Sequence, residues 1–373
     1  MTFKNLKFLI IPIILLLVGL SLSACSITTT SSGVNTGVDS SVFVSVDSGD
    51  NWKPMVSVPT TSGRPGTIAD LNVNVMSLDP QDSRAVYLAS FERGLYYTYK
   101  VTEGWSQATG LPVGTVGDVR VDPKNKCVIY AALANRLYRS NDCSRTWTQV
   151  YFDSNTEVTI TTIAIDHYNP RNIYIGTSRG EIIKTIDSGA AWRTIQRLNE
   201  GVARLIVSPQ DSRLVFVASS KNKIYSFISN TNTNAAASED LEQNFLVDSW
   251  TDLNLVLDDF NLGNNFRDIV INPSDGVVYL ATDKVILRSP DNGVTWENIK
   301  LLQPEKDTVI NAFAVNPRNP ADLYYVTNTT FFRSTDSGAT WTTKKLPTAR
   351  AGRSLLIDFN EPNIIYLGTI KLK

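Results

Sequence analysis

Five aspartates share one setting. Asp47, Asp142, Asp187, Asp291 and Asp336 each precede a tryptophan by five residues, at Trp52, Trp147, Trp192, Trp296 and Trp341. In four of them a glycine follows two residues after the aspartate, at Gly49, Gly189, Gly293 and Gly338. A carboxylate at a fixed place could ligate calcium, bind a sugar hydroxyl, or accept backbone N–H groups inside a turn. Calcium takes six to eight oxygens, and one carboxylate per motif does not supply them. The turn chemistry accounts for all the residue types present. A short Asp side chain accepts local N–H groups, glycine tolerates positive φ, and tryptophan buries a large ring against a neighbouring element. The motif therefore reads as architectural, and no metal or cofactor is expected.

Other reactive residues are sparse. His167 is the single histidine, which rules out a multi-histidine metal site. It lies in Asp166-His-Tyr-Asn-Pro170, away from any Ser or Cys nucleophile motif, and reads as a surface residue. Three cysteines do not make a four-cysteine zinc site. Asp258 and Asp259 are adjacent, whereas glycoside hydrolysis needs two carboxyl groups held apart across a substrate. Lys+Arg number 35 and Asp+Glu 36, so the basic excess of a nucleic-acid binder is absent. With 42% hydrophobic and 19% charged residues, the chain can build a large core, and bulk disorder is excluded.

The elements that carry the motif repeat. Seven tryptophans, at 52, 105, 147, 192, 250, 296 and 341, recur at intervals of 42 to 58 residues. A second signature lies upstream: an apolar run ends in Asp, Asn or Ser, and an aromatic residue follows seven or eight positions on. The pairs are Asp79/Tyr87, Asp122/Tyr130, Asp166/Tyr174, Ser208/Phe216, Asn272/Tyr279, Asn316/Tyr324 and Asp358/Tyr366. Each repeat reads as four short strands, for example 267–272, 277–281, 285–289 and a strand from Trp296. Four strands in a period near 45 indicate propeller blades. The final repeat supplies only two strands, within 355–368, and the first supplies only the last two, 42–46 and 52–58. Together they complete one blade. The expectation is an all-β chain with one seven-bladed β-propeller over residues 41–373, closed by pairing its two ends. Two repeats depart from the motif. The copy ending at Trp105 has no aspartate, and residues 229–248 hold a polar low-complexity excursion that reads as a surface loop.

Lys4 and Lys7 precede an apolar run over 8–20, followed by Leu22-Ser23-Ala24-Cys25. This is the layout of a secretory signal peptide, and the run is shorter than the ~20 residues of a spanning helix. Its end resembles the lipobox of bacterial lipoproteins, which implies cleavage after residue 24 and lipidation of Cys25. Loss of residues 1–24 removes two lysines and no acid, taking the net charge from −1 to −3. Residues 25–40, rich in Ser, Thr and Gly, read as a flexible tether. The expected location is extracytoplasmic, anchored to a membrane of the bacterial cell envelope.

The aspartate motif resembles the Asp-box, or BNR repeat, of sialidases, sortilin-type receptors, xyloglucanase-like hydrolases and the photosystem II stability/assembly factor family. The resemblance spans residues 41–373 and is nearest to single-propeller lipoproteins of the assembly-factor type. It implies a non-catalytic scaffold that binds a protein partner at the membrane surface. The contrasting expectation is a glycan-binding or glycan-cleaving propeller. Against the latter, the Arg-Ile-Pro motif of sialidases is absent, and xyloglucanases resemble two propellers enclosing a cleft. The resemblance places the Asp-box turns on the face opposite the binding face. Candidate residues on the binding face are Phe91, Glu92, Arg93, Arg179, Arg267 and Arg353, with Arg64, Asp258, Asp259, Asp283, Glu305 and Arg350 as further charged positions. With Cys25 lipidated, Cys127 and Cys143 remain, in a compartment that permits oxidation. A hairpin turn near Ala134-Asn135 sets residue 127 opposite 142, so a disulfide between Cys127 and Cys143 is expected.

Overall fold

Short runs of β-branched and aromatic residues, cut by Asp, Asn and Gly, favour narrow antiparallel sheets over helices. The computed structural model describes residues 37–229, 247–302 and 309–372. Six four-stranded sheets are continuous in sequence, spanning 73–107, 116–152, 160–197, 202–252, 266–298 and 312–345. They are blades one to six. Blade seven is composite: Ala351–Ile357, Ile365–Ile370, Val42–Ser45 and Lys53–Pro54 lie side by side in that order. Val42 pairs with Gly368 and Ser45 with Ile365, so the two ends of the chain close the ring as the repeat arithmetic requires. The first strands of successive blades neighbour one another all the way round, the seventh meeting the first. The molecule is a seven-bladed β-propeller. Expected strand 52–58 is divided instead into Lys53–Pro54 and Ser57–Val58, the second of which pairs with Gly66–Thr67. Pro54 has no N–H to continue the ladder.

Both repeat signatures acquire physical roles. The aromatic residues Tyr87, Tyr130, Tyr174, Phe216, Tyr279, Tyr324 and Tyr366 sit in the second strands and are at most 3% exposed. Their partners Asp79, Asp122, Asp166, Ser208, Asn272, Asn316 and Asp358 end the first strands. Each accepts the N–H of the residue two positions on, at 2.7–3.3 Å. The five Asp turns join third to fourth strands. Each Asp Oδ1 accepts the N–H of the residue four positions on, at 2.8–2.9 Å. The Ser or Thr two positions earlier donates to the same oxygen and accepts the N–H of the glycine, or of Ser144. Hydrogen bonds from the side chains of Asn51, Thr146 and Thr340 lead in holding Asp47, Asp142 and Asp336 down at about 2. The residue after each aspartate has φ near +60° (Ser48, Cys143, Ser188, Asn292, Ser337), and Gly338 follows its own at +88°.

Each turn also fastens its blade to the preceding one. A Cβ on Gly49 would lie 2.3 Å from the Phe331 ring of blade six, and one on Gly338 would lie 2.3 Å from Ile299 Cγ2. The tryptophans do the same. Trp105 is fully buried and donates to Met55 O at 2.8 Å, Trp192 donates to Val150 O at 2.9 Å, and Trp52 meets Phe331 edge-on at 5.4 Å. Blade one replaces the Asp turn with a 3₁₀ turn, Val101–Glu103, followed by Gly104 at φ +86°. The corresponding stretch of blade four, 230–246, lies outside the described residues.

In blade two, Ile129 pairs with Ser140, the register that sets 127 opposite 142. Cys143 N–H donates to Cys127 O at 3.1 Å, and the two Cα atoms are 3.9 Å apart with the sulfurs in contact. Residues 37–40, placed by composition in the tether, pack as part of the propeller. Ser40 and Ser41 are fully buried, and Ser41 Oγ donates to Ile68 O at 2.7 Å.

Gly338→Ala is expected to destabilise the propeller by about 2–3 kcal/mol, through positive φ and overlap with Ile299, measured by denaturant unfolding. Intact-mass analysis after alkylation under denaturing conditions is expected to show Cys127 and Cys143 unmodified without reductant and both alkylated with it. Two alkylated thiols in the unreduced sample would exclude the disulfide.

Candidate functional site

A propeller's first strands surround its axis, so their inward side chains decide what the channel can hold. Here the channel opens on the face away from the Asp turns into a vestibule of about 760 Å³. Its wall comes from the starts of all seven first strands. In six of these the ladder slips by one residue at the same place, leaving Asn74, Gly117, Thr161, Ala203, Arg267 and Arg353 each without a direct partner. Such bulges re-aim a side chain without ending the strand, and all six residues line the vestibule.

The charged residues of the wall are Asp118, Arg120, Arg204, Arg267, Asp268 and Arg353. Four guanidiniums thus face two carboxylates, in a chain whose net charge is −1. Deep in the channel the groups are cross-linked. Asp118 accepts from Ile163 N–H at 2.9 Å and pairs with Arg120 at 3.2 Å. Arg204 stands 4.0 Å from Asp118 and 3.3 Å from Asp268, bridging blades two and five. Arg120 and Arg204 also line a smaller cavity of about 300 Å³ that opens toward the Asp-turn side, so this network divides the channel in two.

Nearer the mouth the arginines are less well matched. Arg267 Nε donates to Ile310 O at 2.6 Å, and Arg353 reaches Asn74 Oδ1 at 3.3 Å. Arg353 Nε is buried without a hydrogen-bond partner among the described residues. Burial first, and then the like charge of Arg267, pull the Arg353 pKa below its ordinary value, while Asp268 opposes them. Burial also lowers Arg267, against Asp283. Arg120 is lowered by burial and by Arg204. For Arg204, burial acts in the same direction, but Asp268 and Asp118 outweigh it and the pKa is raised. Guanidiniums disfavoured in this way are those an incoming anion stabilises most.

Of the residues expected on the binding face, Arg267 and Arg353 reach the vestibule. Phe91 lies beside it, under the Arg353 guanidinium at 6.0 Å. Glu92 is exposed in the same turn, at φ +68°. Arg93 turns outward to Asp70 at 2.8 Å. Arg179 is engaged by Glu181 at 2.5 Å and Asp153 at 3.1 Å. Asp283 staples a linker, accepting the N–H groups of Asn264 and Asn265. Arg350 is buried and bonds Asp39, Leu71 O and Asp70 O. Asp258 and Asp259 sit together in the linker from blade four to blade five, and Arg64 in that from seven to one. Glu305 falls outside the described residues. His167 is exposed beside the smaller opening. Sequence reasoning missed Asp118, Arg120, Arg204 and Asp268. A charged residue inside an apolar first strand was the available signal.

Comparison with known proteins bears on this geometry. Residues 202–358 match the family described as the DUF6242 beta propeller domain. Among solved structures, the chain resembles the GH74 xyloglucanase of Xanthomonas campestris, with 16% identity and a TM-score of 0.61 over 80% of this chain and 51% of that one. It therefore spans about half the length of that enzyme. It also resembles YCF48 bound to D1 peptide, with 16% identity and a TM-score of 0.58 over 84% of this chain and 95% of that one. No curated protein sequence matches significantly. At these identities the likeness establishes the fold, which is shared by a glycoside hydrolase and by a protein solved with a peptide.

Arg204→Ala leaves Asp118 and Asp268 without their shared cation. It is expected to cost about 2–3 kcal/mol of stability, less than for a fully enclosed pair because Arg204 and Asp268 are partly exposed. Unfolding in urea measures it. A variant as stable as the parent would show that the bridge does not hold blades two and five together.

Proposed function

We propose that this protein is an extracytoplasmic propeller, lipid-anchored at Cys25, that binds a protein partner through the vestibule and serves as an assembly scaffold. The observation that carries the reading is the surplus of guanidiniums at the mouth, Arg267 and Arg353, set on strand bulges and, among the described residues, not ion-paired with any carboxylate. Such a wall suits an acidic, extended polypeptide segment, because guanidinium donors fit carboxylates and hold them in a fixed orientation. A similar propeller of nearly the same extent, YCF48, has been solved with a peptide, which favours a protein ligand over a sugar. The two acids of the wall argue in the same direction. Asp118 and Asp268 are both occupied by Arg204 and by backbone N–H groups instead of flanking the cavity as a free pair. Retaining and inverting hydrolysis both need two carboxyl groups facing the sugar.

The test is site-specific photo-crosslinking in intact cells from a probe at Thr115, a vestibule residue. One partner should be captured, and Arg267→Ala with Arg353→Ala should reduce capture at least ~10-fold, as expected for losing two charge-assisted contacts. Release of sugar from xyloglucan or sialosides, abolished by Asp118→Asn or Asp268→Asn, would establish the hydrolase reading instead.

A further inference from the structure

The point where the chain enters the propeller orients it. In blades one to six the second and third strands are joined by a loop on the vestibule face. In blade seven these strands come from opposite ends of the sequence, so the chain enters at residues 37–41 on that same face. The entry is fixed in place. Gly37 packs so closely on Pro347 that a Cβ would lie 2.2 Å from its carbonyl oxygen. Asp39 pairs with Arg350 at 2.6 Å, and Thr369 N–H donates to Ser41 O at 2.8 Å.

Twelve residue-to-residue steps, through the eleven residues 26–36, lead from Cys25 to Gly37. Whatever their conformation, they reach at most ~42 Å. The blades are built on strands of up to nine residues, so rounding the rim to the Asp-turn face would consume roughly 20–30 Å of that reach. A lipid on Cys25 thus meets the membrane with least constraint when the vestibule face is toward it.

The surface agrees. Val38, Val113, Phe152, Leu255, Leu302 and Leu372 are each more than half exposed, and all belong to the vestibule side. They occur at blades seven and two and in the linkers one–two, four–five and five–six, spread round the ring and not gathered in one groove. On the Asp-turn side, among the described residues, only Val46, Tyr168 and Val294 are as exposed. Burial of apolar side chains on the face nearest the anchor adds to membrane binding, the second contact that a lipid-anchored protein needs for stable attachment.

We infer that the vestibule face is the membrane-facing surface, with its apolar rim resting on the lipid to which Cys25 ties it. This rests on the lipid-anchor reading above. A partner reaching the arginines would then have to project from the bilayer.

Full-length protein, bound through its own lipid to phosphatidylcholine vesicles with nitroxide headgroups, tests the orientation. A fluorophore is placed by Leu255→Cys or Val113→Cys on one face and Val294→Cys on the other, with the parent chain as the labelling blank. Quenching should be at least about threefold stronger at Leu255 and Val113 than at Val294. Equal quenching, or stronger quenching at Val294, would overturn the proposal. If the protein floats with the vesicles but neither face is quenched, and Leu255 is shielded only in native membranes, the rim docks on protein and the lipid assignment is wrong. Failure of the parent to float, or flotation of Cys25→Ala equal to it, would instead remove the anchor reading beneath the proposal.

Discussion

A ring of sheets holds together only if its last interface is as good as the others. Here that interface depends on the pairing of Val42–Ser45 with Ile365–Ile370, four residues of the beginning of the domain against its end. Six blades form from local hairpins, but blade seven must wait for both termini, so its formation carries the largest loop-closure cost in the fold. Everything around the axis follows from it. The first strand of blade seven contributes Arg353 to the vestibule, and its neighbour in blade one contributes Asn74, which receives that arginine. Without the closing pair, neither the wall of the channel nor the entry point of the chain at Gly37 is defined.

The interfaces between the blades use one device repeated. The Asp turn shapes a hairpin and presses its glycine on the blade before, while the tryptophan after it fills the same seam. This concentrates regularity on one face and leaves the other free to vary. Five of the blades carry near-identical hydrogen-bonded Asp turns on one face, whereas the vestibule face gathers linkers of differing length and composition. The division of labour is physical: loops that close the ladder are constrained by it, and those that join blades are not.

Much of this was legible in the residues. The spacing of Asp47 to Trp52 and its four echoes gave the period. The pairs from Asp79/Tyr87 to Asp358/Tyr366 gave the number of blades, and the half-repeats at each end gave closure. The site was only partly legible. Arg267 and Arg353 could be placed on the face that carries the vestibule, but Arg120 and Arg204 were not singled out, because one slipped residue reverses which side chains look inward. The charged residues within the apolar first strands hint at an inward turn, but their letters do not fix the position of the slip. Arg179, equally plausible as a string of letters, is spent on Glu181 and Asp153, contacts made through folding.

The bulges also bear on how such a scaffold can change its ligand. A residue at a slip has no direct partner across its own ladder, so exchanging Asn74, Thr161, Ala203, Arg267 or Arg353 leaves the pairing within the blade intact, but Asn74, Thr161 and Arg267 also donate to a carbonyl of the next blade, at Val116, Val202 and Ile310. Gly117 is the exception, since a Cβ there would lie 2.5 Å from Ile160 O. Six of the seven blades therefore present a socket to the vestibule, whose occupant is set apart from the pairing inside its own blade. A lineage, or a designer, could alter the charge and reach of the vestibule at these points and keep the same frame, most freely at Ala203 and elsewhere with side chains that still bond the next blade.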